Sequence, residues 1–281
     1  MNFLSSVAIA DEVKIKCTKS SSSFYAATNP FDSEIFDKIN QNLPLYFILH
    51  GWKENFDVPY AREIASELLL RTNSSVCLLD YQNLVENDIL TSECNAMQVG
   101  EYLASFITFL QSKGFPTSNV NIIAHSLGSK AASVCGQKLG NGRLGAIYAL
   151  DPAAPGFDPN NAAYTQCIFT AFGGFRPQIG DCHANFYMNG GVMQPMCENS
   201  TNFYCSHKTS HTYFRHSLDP ENKFYGNACV LSVFGMFCLY EIQDTMGIYT
   251  KRRRGKFDCQ TMNEPPYAMK IKVLSDRQQG N

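Results

Sequence analysis

Charge is scarce in this chain. Only 17% of its 281 residues are Asp, Glu, Lys or Arg, and 23 basic side chains against 25 acidic ones leave a formal net charge of −2. That balance offers no electrostatic footprint for nucleic acid, so no nucleic-acid partner is expected. No apolar run approaches the roughly 18 residues that a membrane-spanning helix needs, and a soluble protein is predicted. The cysteines contain no C-x-x-C pair and no H-E-x-x-H stretch occurs, so the common zinc spacings are missing. Tryptophan occurs once, as Trp52.

Cysteine itself is plentiful. Eleven in the chain exceed what an ordinary cytosolic enzyme carries and imply an oxidising, extracellular setting with an odd thiol left over. Two N-x-S/T sequons, at Asn73 and Asn199, agree with secretion and are the candidate glycosylation sites. Residues 1–10 combine an apolar run with an A-x-A-like end but lack a basic n-region, and they read as an abbreviated signal peptide. The length suits one generous α/β domain.

The stretch from Asn121 to Ala132 carries the chemistry. Val120 to Ile123 is strand-like, Lys130 to Val134 is helix-compatible, and between them Ser126 is flanked two positions away by the small residues Ala124 and Gly128. This is the pattern of a nucleophile elbow, a strand-to-helix turn too tight for large side chains at those two positions. Small-x-Ser-x-Gly is common by chance, and its strand and helix context is what gives it weight. A serine so held stands at a helix N-terminus, where backbone N–H groups stabilise an oxyanion.

Leu43 to Leu49 reads as a buried central strand and runs into His50-Gly51-Trp52. Alone, that tripeptide would be a plain strand-ending turn; with Ser126 downstream it matches the second oxyanion loop of such folds. Trp52 would offer its backbone N–H, and its indole would line an acyl pocket. Helical periodicity covers Val58 to Arg71, a strand covers Ser75 to Asp80, and a long helix runs from about Cys94 to Lys113 with a core stripe of Met97, Tyr102, Phe106 and Phe109. A further strand, Gly145 to Leu150, ends in Asp151-Pro152. A triad acid can sit at such a carboxyl end, although a turn-opening Asp-Pro is the plainer reading. The order Ser, Asp, His then requires a base among His183, His207, His211 and His216. His207 and His211, four apart, would share a helix face, and spacing chooses no further.

Taken together, His50-Gly51-Trp52, Ala124-His125-Ser126-Leu127-Gly128, Leu150-Asp151-Pro152-Ala153, the stretch Asn185 to Pro195 and Cys205-Ser206-His207 resemble, in this order, the pancreatic lipase family, over about Leu43 to Ala268. The resemblance implies a single-domain α/β-hydrolase fold at residues 43–270, with a mostly parallel central sheet and helices on both faces, a lead-in segment at 11–42 packed on it and a tail at 271–281. It implies a triad of Ser126, Asp151 and His207, with Trp52 and Leu127 as oxyanion-hole donors and no cofactor. It also implies disulfides Cys17 to Cys94, Cys197 to Cys205 and Cys229 to Cys238; Cys167 and Cys182 would pair if their strands are neighbours, and Cys77 and Cys135 read as small buried residues. The loop closed by Cys197 and Cys205 would be the lid. It holds only Glu198 to Tyr204, and within the family short lids accompany phospholipase activity, so the chain is most similar to short-lid insect members of the phospholipase A1 type. The expected activity is secreted phospholipase A1, releasing the sn-1 fatty acid at a membrane or micelle surface, with triacylglycerol lipase as the alternative. The chain stops where the family's C-terminal β-sandwich domain would begin, so no colipase-type partner is expected, and a monomer is predicted.

Several positions depart from the family. Ala124 replaces the first elbow glycine, Ser129-Lys130 replaces a small residue followed by His or Gln, and Phe169-Thr170 replaces His-Thr; Lys130 would intrude on the helix start. These support a rival from another class, a noncatalytic lipid-binding or storage protein on the same scaffold, and the complete triad stands against it. Asp158 to Ala163 is shorter than the family's calcium loop and has no carboxylate cluster, so no bound metal is expected. Lys251-Arg252-Arg253-Arg254 reads as a solvated hairpin tip rather than a headgroup contact, and Val230 to Tyr240 as buried strand.

Overall fold

The computed structural model describes residues 6–20, 25–26, 30–153, 157–171, 182–202, 204–232 and 235–269. Residues 1–5 of the expected signal peptide, Ser21 to Ser23, Phe203 of the expected lid and the tail from residue 270 onward lie outside the described residues. In chain order the elements are α1 (Ser6–Glu12), β1 (Lys14–Thr18), β2 (Tyr25–Ala26), β3 (Leu45–Leu49), α2 (Pro59–Arg71), β4 (Ser75–Asp80), α3 (Ile89–Ser112), β5 (Val120–His125), α4 (Gly128–Leu139), β6 (Ala146–Leu150), β7 (Thr165–Phe169), β8 (Ala184–Met188), α5 (Cys205–Ser217), β9 (Tyr225–Ser232), β10 (Gly235–Thr245) and β11 (Gly255–Cys259).

The strands form one sheet in the order β10-β9-β11-β8-β7-β6-β5-β3-β4-β1-β2. From β11 to β4 every pairing is parallel. Antiparallel β1 and β2 extend one edge, and β9 and β10 extend the other. The central strands are apolar without alternation because both of their faces are covered. Successive side chains of a strand point to opposite faces: Leu45, Phe47 and Leu49 join the core under α3 and α4, whereas Tyr46 and Ile48 join the core under α2 and α5. Ile9 of α1, within the segment read as a leader, packs into the first of these cores.

Three local expectations need correction. Helix α3 starts before Cys94 because Asp88 caps it, its carboxylate accepting from the Leu90 and Thr91 N–H groups at 3.1 and 3.0 Å. Its buried stripe is Ala96, Val99, Leu103, Phe106, Ile107 and Leu110, while Met97 is 43% exposed and takes no part. The described residues of Val230 to Tyr240 are strand but not simply buried: they lie in β9 and β10 at the open sheet edge, with Val230 and Leu239 exposed. Lys251 to Arg254 is not a hairpin tip either, since β10 and β11 are not neighbours and the loop must cross β9. Buried Asp244 holds that loop by accepting from the Lys251 and Arg253 N–H groups, both at 2.7 Å.

The disulfide expected between Cys17 and Cys94 is absent; Cys17 is bonded to Cys77. These two residues face each other in the antiparallel register of β1 and β4, whereas Cys94 sits on α3 as an exposed free thiol. Cys77 is therefore not the free core residue anticipated, while Cys135 and Cys259 are free and buried. The remaining bonds are Cys167–Cys182, Cys197–Cys205 and Cys229–Cys238. No helix among the described residues is long and apolar enough to cross a membrane.

Candidate active site

The chain reverses its direction of travel across the sheet at β3, with β4 on one side of it and β5 on the other. Crevices open beyond the strand carboxyl ends at such switch points. Strand β3 delivers His50-Gly51-Trp52 there and β5 delivers Ser126. Ser126 adopts a left-handed backbone, φ 52°, and donates its N–H to the Leu150 carbonyl at 2.9 Å. Helix α4 begins two residues later, with Leu127 as its N-cap. Gly128 admits nothing larger, because a Cβ there would stand 2.5 Å from the His50 carbonyl oxygen. Trp52 packs at the edge of the core under α3, its indole N–H donating to the Asn87 carbonyl at 2.8 Å.

Asp151, at the end of β6, is buried. Its Oδ2 lies 2.5 Å from His207 Nδ1 in the first turn of α5, and its Oδ1 accepts from the Thr170 and Ala171 N–H groups at 2.8 and 3.2 Å. Of the four downstream histidines, His207 is the one that meets Asp151. His183 Nδ1 accepts from the Thr165 N–H at 3.1 Å, His211 stacks on Tyr60, and His216 Nε2 lies 3.1 Å from the Arg215 guanidinium. The His207 ring lies 4.7 Å, centroid to centroid, from that of His125, the residue before Ser126. With Nδ1 held by a carboxylate, Nε2 is the nitrogen that can take a proton. No hydrogen bond to the Ser126 hydroxyl occurs among the described residues, and in unliganded sites this link commonly tightens only when substrate binds.

A second polar cluster beside the elbow has no counterpart among the sequence motifs. Glu54 Oε2 accepts from Gly51 N–H at 2.7 Å and Tyr60 O–H at 2.8 Å, and lies 3.2 Å from His125 Nδ1. Burial raises the Glu54 pKa, but the charge of His125 and the hydrogen bonds from His125, Gly51 and Tyr60 outweigh it and hold the carboxyl well below the usual range. His211, stacked 4.1 Å from Tyr60, is pushed down to about 2, first by burial and then by the charge of His125. No spacing rule joins positions 54, 60, 125 and 211, so only Glu54's nearness to His50-Gly51-Trp52 hinted at a role.

The loop closed by Cys197 and Cys205 leads directly into α5 and His207. Buried Gln194 anchors its near end, donating through Nε2 to the Thr170 and Met188 carbonyls at 2.7 and 2.8 Å and through its backbone N–H to Ser206 Oγ at 3.0 Å. Lys130 does not intrude on the helix start, its ammonium lying 3.9 Å from Glu93 on α3. Phe169 is buried and stacks on Tyr187. Asp158 caps a short 3-10 turn by accepting from the Asn160 N–H at 2.8 Å, and among the described residues no three His, Cys, Asp or Glu side chains gather as a metal site would need. The basic run precedes β11, whose first residue pairs with the first residue of β8, so it lies at the strand amino ends, opposite Ser126. Asn73 and Asn199 are both exposed.

A mostly parallel sheet covered by helices on both faces, with a strand–elbow–helix turn at its switch point, defines this chain as an α/β-hydrolase. It belongs to the lipase family, whose model, described as Lipase, matches residues 23–263. Human pancreatic triacylglycerol lipase is 29% identical over 215 residues, covering 65% of this chain and 46% of that protein. The pancreatic triacylglycerol lipase of Myocastor coypus is 31% identical over 216 residues, with 65% and 47% covered, and pancreatic lipase-related protein 2 of Bos taurus is 27% identical over 217 residues, with 65% and 46% covered. The chain spans about half the length of these curated relatives. Overlap with solved structures is slight: Est1E from Butyrivibrio proteoclasticus matches with a TM-score of 0.30 at 17% identity, covering 50% of this chain and 46% of that one. Dienelactone hydrolase from Anabaena variabilis matches with a TM-score of 0.34 at 16% identity, covering 45% and 61%.

Proposed function

We propose that this chain is a secreted hydrolase of lipid carboxylic esters that works through Ser126, His207 and Asp151, with the sn-1 ester of a phospholipid as its preferred substrate. The observation that carries the reading is the 2.5 Å contact between His207 Nδ1 and Asp151 Oδ2 beside the Ser126 elbow. Ser126 Oγ attacks the ester carbonyl while its proton passes to His207 Nε2, and Asp151 holds the ring in the productive tautomer. The oxyanion rests between the N–H groups of Trp52 and Leu127. Collapse expels the alcohol, which takes its proton from His207; water then repeats the cycle on the acyl-enzyme, releasing the fatty acid and restoring the serine.

Exposed Val192, Met193 and Met196 precede the Cys197–Cys205 loop and exposed Tyr204 lies within it, and these side chains suit a lipid substrate. The brevity of that loop, whose cysteines are 8 apart in sequence, favours a substrate whose polar headgroup needs access. Four disulfides and the exposed sequons favour an oxidising, extracellular setting. Triacylglycerol lipase is the second reading, supported by the activity named for the human and Myocastor relatives. A fluorophosphonate probe labels only an activated serine, so the wild type is expected to label and Ser126→Ala is not. Turnover retained by purified Ser126→Ala would remove the assignment, and an unlabelled wild type would favour the noncatalytic lipid-binding scaffold. Phosphatidylcholine and triolein assayed side by side rank the substrates, and faster triolein cleavage would put triacylglycerol first.

A further inference from the structure

Glu54 occupies the junction between the two loops that would supply the oxyanion donors. Its Oε2 receives the N–H of Gly51, the residue before Trp52, and lies 3.2 Å from Nδ1 of His125, two residues before Leu127. The same oxygen receives the Tyr60 hydroxyl from the start of α2. The three groups are in close contact, since a Cβ built on Gly51 would lie 2.9 Å from Glu54 Oε2 and 3.1 Å from Ser126 Cβ. His125 Nε2 is buried without a hydrogen-bond partner, so among the described residues the contact with Glu54 is the polar anchor of that ring.

We propose that Glu54 is a positioning residue that ties the His50-Gly51-Trp52 loop to the nucleophile elbow and so sets the separation of the two oxyanion donors. The inference rests on the ester-hydrolase function proposed for Ser126. A hole built from two separate loops works only if their spacing matches the oxyanion, and a displacement of about 1 Å costs as much as 100-fold in rate. One carboxylate oxygen receiving both loops, with Tyr60 bracing it from a helix, fixes that spacing before substrate arrives. Charge strengthens each of these bonds, roughly twofold over a neutral acceptor.

The test compares Glu54→Ala and Glu54→Gln with wild type. Competent sites are counted by fluorophosphonate titration run to completion, kcat and KM are measured on a soluble p-nitrophenyl ester, and folding is followed by circular dichroism. An oxyanion contact acts on the transition state alone, so Glu54→Ala is expected to lose about 100-fold in kcat per titrated site with KM within about threefold. Glu54→Gln, which keeps shape and acceptor but not charge, is expected to lose less, between about threefold and tenfold in kcat per titrated site. A kcat per site in Glu54→Ala within about threefold of wild type, or a loss confined to KM, overturns the inference. Should Glu54→Ala not fold, an unchanged kcat in Glu54→Gln overturns it just as well. Failure of both to fold makes Glu54 a folding residue and also overturns it. An unlabelled wild type is a different outcome, counting against the hydrolase reading itself and taking the positioning role with it.

Discussion

Asp151→Asn should be more damaging than the loss of one charge suggests. The two oxygens of Asp151 are not equivalent: Oδ1 accepts the Thr170 and Ala171 N–H groups at 2.8 and 3.2 Å, and Oδ2 faces His207 Nδ1 at 2.5 Å. An asparagine must turn its carbonyl oxygen toward the two N–H donors, because an amide nitrogen there would leave both unpaired, at about 1–3 kcal/mol for the buried Thr170 N–H alone. Its NH2 then faces Nδ1 and donates to it, which forces the proton of neutral His207 onto Nε2. A ring in that tautomer cannot accept the Ser126 proton. The backbone has no objection, since φ is 45° at this position and asparagine tolerates the left-handed region as well as aspartate does. The expected result is a folded protein whose kcat on a p-nitrophenyl ester falls by about 10⁴-fold, or about 5.5 kcal/mol of transition-state stabilisation. Asp151→Ala, which imposes no tautomer, should be no worse. Asp151→Asn retaining activity within about tenfold of wild type, with a native circular dichroism spectrum, would refute both the tautomer argument and the role given to His207.

Acidification should destabilise the fold through His211. Its folded pKa is depressed from the ordinary 6.5 to about 2, so the stability it contributes is complete above 6.5 and is lost as pH falls toward 2, while the unfolded chain takes a proton that the folded state refuses. The loss reaches about 2 kcal/mol by pH 5; His211→Phe, which keeps a ring against Tyr60 but cannot titrate, should flatten the dependence of Tm on pH between 7 and 5, and an unchanged slope would exclude this source. Below about pH 4.5 the low folded pKa of Glu54 adds a loss of the same sign. For the cysteines, alkylation of the native protein followed by peptide mapping should label Cys94 alone among the three free thiols, reach Cys135 and Cys259 only after denaturation, and recover a Cys17–Cys77 linked peptide. A Cys17–Cys94 peptide would contradict the strand register.

Much of the site was legible because its signals are local. Ser126 declares itself by two small neighbours within five residues, and the strands around it by unbroken apolar runs. Asp151 stands at the end of such a run, where Asp-Pro reads more plainly as a turn, and the family's Leu150-Asp151-Pro152-Ala153 pattern is what pointed to it. His207 did not declare itself either, since four histidines lie downstream and their spacing ranks none of them; the family's Cys205-Ser206-His207 pattern pointed to it, and the contact with Asp151 is what distinguishes it in the structure. The Cys17 pairing failed for a related reason. Chain order cannot say that β1 lies antiparallel to β4 with Cys17 opposite Cys77, because that register is decided by sheet assembly.

The sequence by itself determined the position of the elbow and the serine at its apex, since both depend on side-chain size and periodicity over a few consecutive residues, while the class of fold followed from the ordered motifs that resemble the family. Only the tertiary structure decided which histidine meets the acid, which cysteines bond, and that Glu54, Tyr60, His125 and His211 converge behind the elbow. Those outcomes depend on distances between residues tens of positions apart, which appear only when the parallel strands have brought their carboxyl ends to one rim.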